Sequence, residues 1–259
     1  MDRVDRGGVI LDPRLEIIDK RLENIKTLMP VSGGKGGIGK SLVASTLALT
    51  LSELGYQVGL LDLDFSGPST HVILGIGGVY PKEDKGIIPP EIYGIKFLSI
   101  VYYTGDSPTP LRGVDVSNAM IELLAITQWG SLDFLIIDMP PGIGDIVLDT
   151  IRLMKRAEFL IVTTQSKVVL ATVKKVLAIL KELMVPIIGV VENMKSAPSS
   201  LVKEQIKPFK VPFLGEINFD NHLEEALGDV GKLLKTSFAQ DMKQIVLGNP
   251  GFRLPKRGC

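Results

Sequence analysis

The first candidate site is a loop rich in glycine and lysine that follows a short apolar run. Residues 31–42 read VSGGKGGIGKSL. Within this stretch, Gly34 to Ser41 fit the pattern G-x-x-x-x-G-K-[ST], and a segment with helical spacing begins directly afterwards. Glycines let the backbone bend so that successive N–H groups face phosphate oxygens, and the N-terminus of the next helix adds a favourable dipole. The pattern therefore predicts a site for a nucleoside triphosphate.

The side chains of this loop have distinct predicted roles. Lys40 is expected to neutralise the β- and γ-phosphates, and the hydroxyl of Ser41 is expected to ligate Mg²⁺. Lys35 lies outside the minimal pattern, and its spacing alone indicates only a solvated lysine. The residues of this stretch predicted to bind ATP are Gly34, Lys35, Gly36, Gly37, Ile38, Gly39, Lys40, Ser41 and Leu42.

Three aspartates follow apolar runs of strand length. Asp62 and Asp64 occur in LLDLDFSGPST, and Asp138 occurs in DFLIIDMPPG. In a doubly wound sheet, carboxylates at the carboxyl ends of the strands converge on the crevice where the ligand binds. We expect all three to help hold Mg²⁺ together with Ser41. One member of the Asp62-x-Asp64 pair, with Asp64 as the candidate, would orient or deprotonate the attacking water.

The loops that follow these aspartates are predicted switches. Each would sense the γ-phosphate and rearrange when ATP is hydrolysed. The residues assigned to them are Ser66, Gly67 and Pro68 in the first loop and Pro140, Pro141 and Gly142 in the second.

The apolar runs have the length of strands and are continuous rather than alternating. Continuous runs are typical of strands that are covered on both faces, and here they alternate with segments of helical spacing. We predict an α/β fold with a doubly wound, mostly parallel sheet of about seven strands and helices on both faces. The predicted strands are residues 28–31, 58–63, 95–101, 134–137, 159–162, 187–191 and 211–214.

Three parts of the chain are distinguished by composition. An N-terminal segment, residues 1–27, contains a predicted helix that begins at Asp12-Pro13. Its apolar face is expected to dock on the same domain, with a second subunit as the alternative. The ATPase domain spans residues 28–248, with an irregular excursion at 75–93, and the tail spans residues 249–259. The residues predicted to share the helix face are Leu15, Ile18, Leu22 and Ile25.

Composition limits the partners and the other metals that this chain could bind. Lysine plus arginine number 29 and aspartate plus glutamate also number 29, so no overall field attracts nucleic acid or anionic lipid. No apolar run reaches the length of a membrane span. Cys259 is the only cysteine, which fits a reducing cytoplasm. His71 and His222 are the only histidines, so we assign no nickel or iron–sulfur ligands.

These motifs resemble those of a known class of ATPases. The stretch KGGIGKS is similar to the deviant Walker A motif of the MinD, nitrogenase-iron-protein and Mrp ATPases, DLDFSGPS resembles their first switch, and WGSLDFLIIDMPPGIGD follows the Mrp signature. The resemblance spans about residues 28–235. It implies a P-loop NTPase of the SIMIBI class that forms a homodimer around two ATP molecules, with Mg²⁺ as cofactor.

The resemblance also implies roles for individual residues. Lys35 would reach across the dimer to the partner's ATP and, with Lys40, Asp64 and Asp138, complete the catalytic set. In GVVENM, Asn193 would read adenine, with Met194 beside it in the ATP site. Two departures concern Leu42, where relatives have Ser or Thr, and Ile217-Asn218, where many have Ile-Pro.

The largest departure follows Met194. Iron–sulfur carriers of the Mrp type place Cys-x-x-Cys there, because thiolates hold the cluster, whereas this chain reads KSAPSSLVK. Among cysteine-free relatives, the resemblance is to a MinD-type hydrogenase-maturation ATPase. It implies a metallochaperone switch for nickel insertion that works with the nickel chaperone HypA.

Three other functions remain open. The first is an Mrp-type iron–sulfur cluster assembly or carrier factor that relies on the cysteines of a partner. The second is a MinD-like positioning ATPase, which would need a basic amphipathic helix in the tail. The third is a small-molecule kinase, since P-loops serve many reactions.

Overall fold

The computed structural model describes residues 12–104, residues 114–249 and residue 252. The first eleven residues and Cys259, together with most of the predicted tail, lie outside the described residues. None of the described helices is long and apolar enough to cross a membrane.

A single large sheet organises the described part of the chain. The strands are β1 (Ile25–Gly33), β2 (Val58–Asp62), β3 (Lys82–Glu83), β4 (Ile87–Ile88), β5 (Glu91–Ile92), β6 (Ile95–Ser99), β7 (Leu132–Asp138), β8 (Phe159–Thr163), β9 (Ile187–Lys195) and β10 (Phe213–Asn218). In the described residues, eight of them form one sheet in the order β10–β9–β8–β1–β7–β2–β6–β5. All neighbours pair in parallel except β5 and β6. The predicted doubly wound α/β architecture is confirmed.

Helices cover the sheet on both faces. They are α1 (Pro13–Leu22), α2 (Lys40–Glu53), α3 (Thr70–Leu74), α4 (Val101–Thr104), α5 (Val114–Ile126), α6 (Asp145–Leu153), α7 (Lys167–Glu182), α8 (Leu201–Ile206), α9 (Val230–Leu233) and α10 (Ser237–Gly248), with 3₁₀ turns at Lys207–Phe209 and Glu224–Ala226. Helix α1 packs on α5 and α6, whereas α2 packs on α3 and α10. These packed groups shield the apolar strands from water.

The central strands form because their apolar side chains can be buried on both sides. Every residue of β2 and β8 is buried, and so are all but one of those in β7. The largest fully buried side chains include Trp129, Phe97, Phe134 and Phe159. Burial of side chains of this size stabilises a fold by about 2–3 kcal/mol each before the entropy cost is counted. The core therefore holds the carboxyl ends of β1, β2 and β7 in a fixed register.

The N-terminal helix docks on its own domain, as expected. The Asp12 side chain accepts a hydrogen bond from the N–H of Arg14 and caps the helix before Pro13. Ile18 and Leu22 are buried in the main core.

The sequence-based boundaries need three corrections. Ile25 belongs to β1 and not to the helix, because α1 ends at Leu22 and the chain enters the sheet there. Val101 begins α4 and does not extend β6. The excursion at 75–93 contains the short strands β3, β4 and β5, the last of which forms the antiparallel sheet edge. Strands of two residues are too short to produce a recognisable alternation.

Candidate functional site

The phosphate-binding loop connects β1 to α2 at the point where strand order reverses. The chain leaves β1 at Gly33, and α2 begins at Lys40. Gly37 and Gly39 adopt positive φ angles of 74° and 82°. Side chains with a Cβ are strained in this left-handed region, so the loop needs glycine at these positions. The first N–H groups of α2 lack helical partners and are available for an anion.

Helix α7 and strand β9 both approach this loop closely. A Cβ at Gly34 would lie 2.5 Å from Oγ1 of Thr172 on α7, and one at Gly39 would lie 2.3 Å from Nδ2 of Asn193. The Asn193 amide also donates a hydrogen bond of 2.9 Å to the carbonyl oxygen of Ile38. Sequence spacing did not identify Thr172 as a neighbour of the loop, because only packing brings α7 there.

The two lysines of the loop lie in different environments. Lys40 is buried, and its Nζ donates a hydrogen bond of 3.3 Å to the carbonyl oxygen of Lys35. Burial lowers the pKa of Lys40, while Asp138 and then Asp64 act in the opposite direction. The Lys35 side chain is exposed and forms no ion pair with the described residues. A bound phosphate would provide a negatively charged partner for the buried ammonium group of Lys40.

Asp62 and Asp138 are paired in register on the adjacent parallel strands β2 and β7. Both are fully buried. Burial, followed by the charge of Asp62, raises the pKa of Asp138 to about 8, whereas the Ser41 hydroxyl and Lys40 lower it. Among the described residues, no donor makes a hydrogen bond of good geometry to either carboxylate oxygen of Asp138. A buried carboxylate without full compensation is a favourable place for a cation.

Asp62 organises the first switch loop. Its Oδ2 accepts a hydrogen bond of 2.6 Å from the hydroxyl of Thr70 and one of 3.2 Å from the N–H of the same residue. Its Oδ1 accepts from the N–H of Asp64 at 3.0 Å. Burial raises the pKa of Asp62, and the hydrogen bonds from Thr70 oppose that rise. The carboxylate is thus engaged on both oxygens.

Asp64 closes a tight turn within the same loop. Its Oδ1 accepts from the hydroxyl of Ser66 at 2.7 Å and from the N–H of Gly67 at 3.1 Å. Ser66 and Gly67 are exposed, whereas Asp64 and Pro68 are half-buried. The predicted first switch is therefore a surface turn held together by the aspartate that we assigned to water activation.

The second switch touches the phosphate-binding loop. The N–H of Gly142 donates to the carbonyl oxygen of Gly33 at 3.2 Å. A Cβ at Gly36 would lie 4.0 Å from Cβ of Pro141, and Pro140 precedes it after β7. A change in the second switch would therefore reach the loop through van der Waals and hydrogen-bond contacts.

The predicted adenine side consists of Asn193 and Met194 at the end of β9. Asn193 is buried, and its Oδ1 has no hydrogen-bond partner among the described residues. Met194 has a φ of 54° and is 37% exposed, with its Cε 3.6 Å from a Cβ built on Gly39. Leu42 is half-buried and packs on the core. Asn193 thus contacts the loop through its amide nitrogen, and its amide oxygen is available as an acceptor.

The segment after Met194 is held by its own polar contacts. Lys195 forms an ion pair with Glu216 and donates to the carbonyl oxygen of Ser199 at 3.3 Å. Gln165 donates to the carbonyl oxygen of Ala197 at 2.9 Å. Among the described residues, no group of three or more His, Cys, Asp or Glu is placed to hold a metal ion. His71 is half-buried on α3, and His222 is exposed after β10.

Comparisons with known proteins agree on one family of P-loop NTPases. A family model described as ParA, NUBPL iron-transfer P-loop NTPase, matches residues 24–247. An iron-sulfur cluster carrier protein of Aquifex aeolicus (strain VF5) is 43% identical over 179 residues, which cover 68% of this chain and 49% of that protein. One from Pyrococcus horikoshii is 36% identical over 249 residues, covering 86% and 84%. The chain thus spans about half the length of the Aquifex relative.

A solved structure shares both fold and sequence with this chain. It is a nucleotide-binding protein from Archaeoglobus fulgidus in complex with ADP, 30% identical, with a TM-score of 0.70. The similarity covers 85% of this chain and 92% of that one. This likeness supports the α/β fold described above.

The expected role in nickel insertion for hydrogenase maturation is wrong. The relatives at 36–43% identity are named iron-sulfur cluster carrier proteins, which matches the Mrp-type alternative. A HypA-like partner has no support either. The missing cysteines after Met194 do not separate this chain from those relatives, because the similarity of the P-loop domain does not depend on them.

Proposed function

Because this chain belongs to the ParA family of P-loop NTPases, we propose that it is a Mg-ATP-dependent switch in iron–sulfur cluster assembly. The observation that supports this most is the combination of iron–sulfur carrier relatives with a complete phosphate-binding loop. The cluster would be its cargo and not a resident group.

ATP binding is supported by the electrostatics of the loop. Lys40 is buried with incomplete charge compensation, so a phosphate group would stabilise its ammonium. The backbone N–H groups at the start of α2 would contact phosphate oxygens. Asn193 would offer its free Oδ1 to the amino group of adenine, a donor that guanine lacks at that position.

The surroundings of Asp138 fit Mg²⁺. Mg²⁺ retains several waters and commonly uses one or two carboxylates together with substrate phosphates. Asp138 and the Ser41 hydroxyl would hold it, and when bound it would neutralise charge on the transferred phosphoryl group. Asp62 would contribute by keeping the first switch in place, because both of its oxygens are already engaged. Asp64, beside that loop, would orient the attacking water.

Dimerisation would couple hydrolysis to a change of shape. Lys35 is exposed at the tip of the loop, as a lysine that contacts the ATP of a second subunit must be. We propose that it supplies positive charge to the partner's phosphates only in the closed dimer. The second switch touches Gly33 and would transmit the loss of the γ-phosphate to α6.

A Lys35→Ala variant tests this arrangement. ATP affinity should stay within about threefold of the wild type, while kcat should fall by at least about tenfold, because the lysine would act mainly in the transition state. Binding is measured by calorimetry, and hydrolysis by phosphate release. Lys85→Ala, at another exposed lysine, is the matched control. A Lys35→Ala variant with unchanged kcat would remove the proposed role.

The cluster ligands would come from another polypeptide. Thiolates are the usual ligands of iron–sulfur clusters, and Cys259 is the only cysteine in these 259 residues. The segment between Met194 and α8 offers serine, lysine and alanine instead. We therefore propose that a cysteine-bearing partner holds the cluster, while this chain provides nucleotide-dependent binding and release.

An anaerobic transfer assay tests the cargo. A cluster-loaded scaffold protein and an apo iron–sulfur enzyme are mixed with and without this protein and Mg-ATP, and recovery of enzyme activity is followed. The expected result is faster transfer that requires ATP and is lost in Lys40→Ala. If transfer is equally fast without this protein, the proposed function is wrong even where ATP hydrolysis is observed.

A positioning role receives less support. The basic amphipathic helix that it would require falls in the tail, most of which lies outside the described residues. A cytoplasmic location stays a prediction.

A further inference from the structure

A basic groove lies next to the segment that follows Met194. Its volume is about 480 Å³, and it is formed by α8, the 3₁₀ turn after it and the start of β10. The lining residues that matter for its chemistry are Lys203, Lys207, Lys210, Ile206, Val211 and Phe213.

The three lysines place positive charge along one side of the groove. Lys203 lies on α8, Lys207 begins the 3₁₀ turn and Lys210 follows that turn, and all three line the groove. All three are exposed, and none forms an ion pair with a described residue. Glu204 also lines the groove, but its carboxylate accepts a hydrogen bond from the Ser200 hydroxyl. The groove therefore has a local excess of positive charge on a chain whose formal net charge is zero.

Part of the groove lining is apolar. Ile206 is buried, while Val211 and Phe213 are half-buried. An apolar side chain inserted into the groove would cover the surface that Val211 and Phe213 still expose to water. A ligand for this surface would thus need negative charges around at least one apolar residue.

We propose that this groove binds an acidic segment of a partner protein, anchored by one apolar side chain. The positive charge of the lysines would attract the acidic residues of this segment, and the apolar part of the lining would bind its apolar anchor. Nucleic acid fits less well, because it is bound by cations that follow an extended backbone and not by three lysines around an apolar concavity.

The position of the groove relates it to the nucleotide site. Helix α8 starts directly after the 195–200 segment, which Gln165 and the Lys195–Glu216 pair hold against β8 and β10. Two residues before Lys195 on the same strand, Asn193 contacts the phosphate-binding loop. If the proposed function holds, the cysteine-bearing partner would dock here, close to a strand that contacts the nucleotide loop. The identity of the partner rests on the proposed function, whereas the binding of an acidic segment does not.

A labelled peptide tests the groove directly. The probe is a fluorescein-labelled twelve-residue peptide rich in Glu and Asp with a central Leu, and fluorescence anisotropy is measured with the full chain. We expect saturable binding that weakens at least fivefold when ionic strength is raised, since exposed charges are screened. Replacing the Leu of the peptide by Ser should weaken binding by about fivefold, in line with the loss of one buried apolar group.

Charge reversal identifies the surface. The triple variant Lys203→Glu, Lys207→Glu and Lys210→Glu should lose at least tenfold in peptide affinity. The matched control reverses three other exposed lysines, Lys82, Lys181 and Lys235, with the same change in net charge. Circular dichroism and ATP affinity verify that both variants are folded. Equal weakening in the two variants would show a non-specific charge effect and overturn the proposal.

Two further measurements separate this proposal from its alternatives and from the proposed function. If single-stranded oligonucleotide or phosphatidylserine vesicles bind through the same lysines more tightly than the peptide, the acidic-protein assignment is wrong. In the cluster-transfer assay, the groove variant should transfer slowly while hydrolysing ATP normally. If the groove variant transfers the cluster normally but no longer binds the peptide, the groove is not the binding site of the cluster partner. If the wild type itself shows no transfer, only the proposed function is contradicted.

Discussion

Two regions at the carboxyl ends of the strands differ in how their buried charged groups are compensated. At the carboxyl ends of β1, β2 and β7, Asp138 and Lys40 are buried, and among the described residues neither forms a close ion pair. At the carboxyl ends of β9 and β10, Lys195 pairs with Glu216. Burial raises the pKa of the nearby Glu192, and Gln165 and Lys195 lower it. The first region leaves Lys40 and Asp138 to be compensated by a ligand, whereas the second compensates part of its buried charge internally.

This difference explains which region can act as a nucleotide site. A buried ionic group costs several kcal/mol unless it is paired, so a folded chain tolerates an uncompensated one mainly where ligand binding repays the cost. In the Lys195 region, Oε1 of the buried Glu192 also has no hydrogen-bond partner among the described residues, but Gln165 and Lys195 act against the rise in its pKa, and the Lys195–Glu216 pair holds the 195–200 segment. Four substitutions test this difference.

The largest effect is expected from Lys40→Ala. Loss of the ammonium should weaken Mg-ATP binding at least about 100-fold, or ~3 kcal/mol, because a charge-assisted contact to phosphate is removed. Isothermal titration calorimetry measures the affinity, with the exposed Lys175→Ala as control. An affinity within threefold of the wild type would mean that the buried lysine is structural.

The next effect is expected in the compensated region. Lys195→Met should lower the free energy of unfolding by about 2 kcal/mol, because it leaves Glu216 and the buried Glu192 without their cation. Urea denaturation measures the loss. The exposed pair of Lys232 and Asp229 provides the control, and Lys232→Met should cost less than about 1 kcal/mol. Equal losses would show that the Lys195 pair is not a special feature of this region.

The third effect concerns pH. The pKa of Asp138 is raised to about 8 in the folded chain, above its ordinary value of 3.8, so between these two values the folded chain keeps a proton that the unfolded chain has lost. The stability of the wild type therefore falls as pH rises from about 4 to about 8, and the loss is complete above that pH. Without nucleotide, Asp138→Asn should therefore gain on the order of 2 kcal/mol relative to the wild type between about pH 5 and pH 9.

Chemical denaturation across that pH range measures the difference, with Asp145→Asn, at an exposed aspartate, as the matched control for the substitution. Parallel profiles for Asp138→Asn and the wild type would indicate that Asp138 is ionised throughout. The contrast between the two regions would then lose one of its supports.

The smallest effect is expected at Asn193. Removing the hydrogen bond to Ile38 in Asn193→Ala should weaken nucleotide binding by about fivefold, or ~1 kcal/mol, through a looser loop. If Asn193 also reads adenine, affinity for ATP should fall more than affinity for GTP. Competition with a fluorescent nucleotide measures both, with the exposed Asn118→Ala as control. Equal losses for the two nucleotides would assign Asn193 to the loop alone.

Much of the architecture could be predicted because its signals are local. Seven apolar runs matched seven strands of the sheet, since continuous burial leaves a continuous apolar pattern. Strands β3 to β5 were missed because two residues leave no pattern. The metal centre was predicted wrongly, since absent cysteines indicate which ligands this chain lacks and say nothing about the cluster that its relatives are named as carrying.

The phosphate-binding loop, the aspartates near the strand ends and the doubly wound fold follow from the amino-acid sequence, because each depends on residues close together along the chain. The roles of these residues within the site depend on the folded structure. Asp62 accepts hydrogen bonds from Thr70, both carboxylate oxygens of Asp138 lack a hydrogen bond of good geometry among the described residues, and Asn193 contacts Ile38 across 155 residues of sequence. Contacts of this kind depend on packing between distant segments, which spacing along the chain does not record.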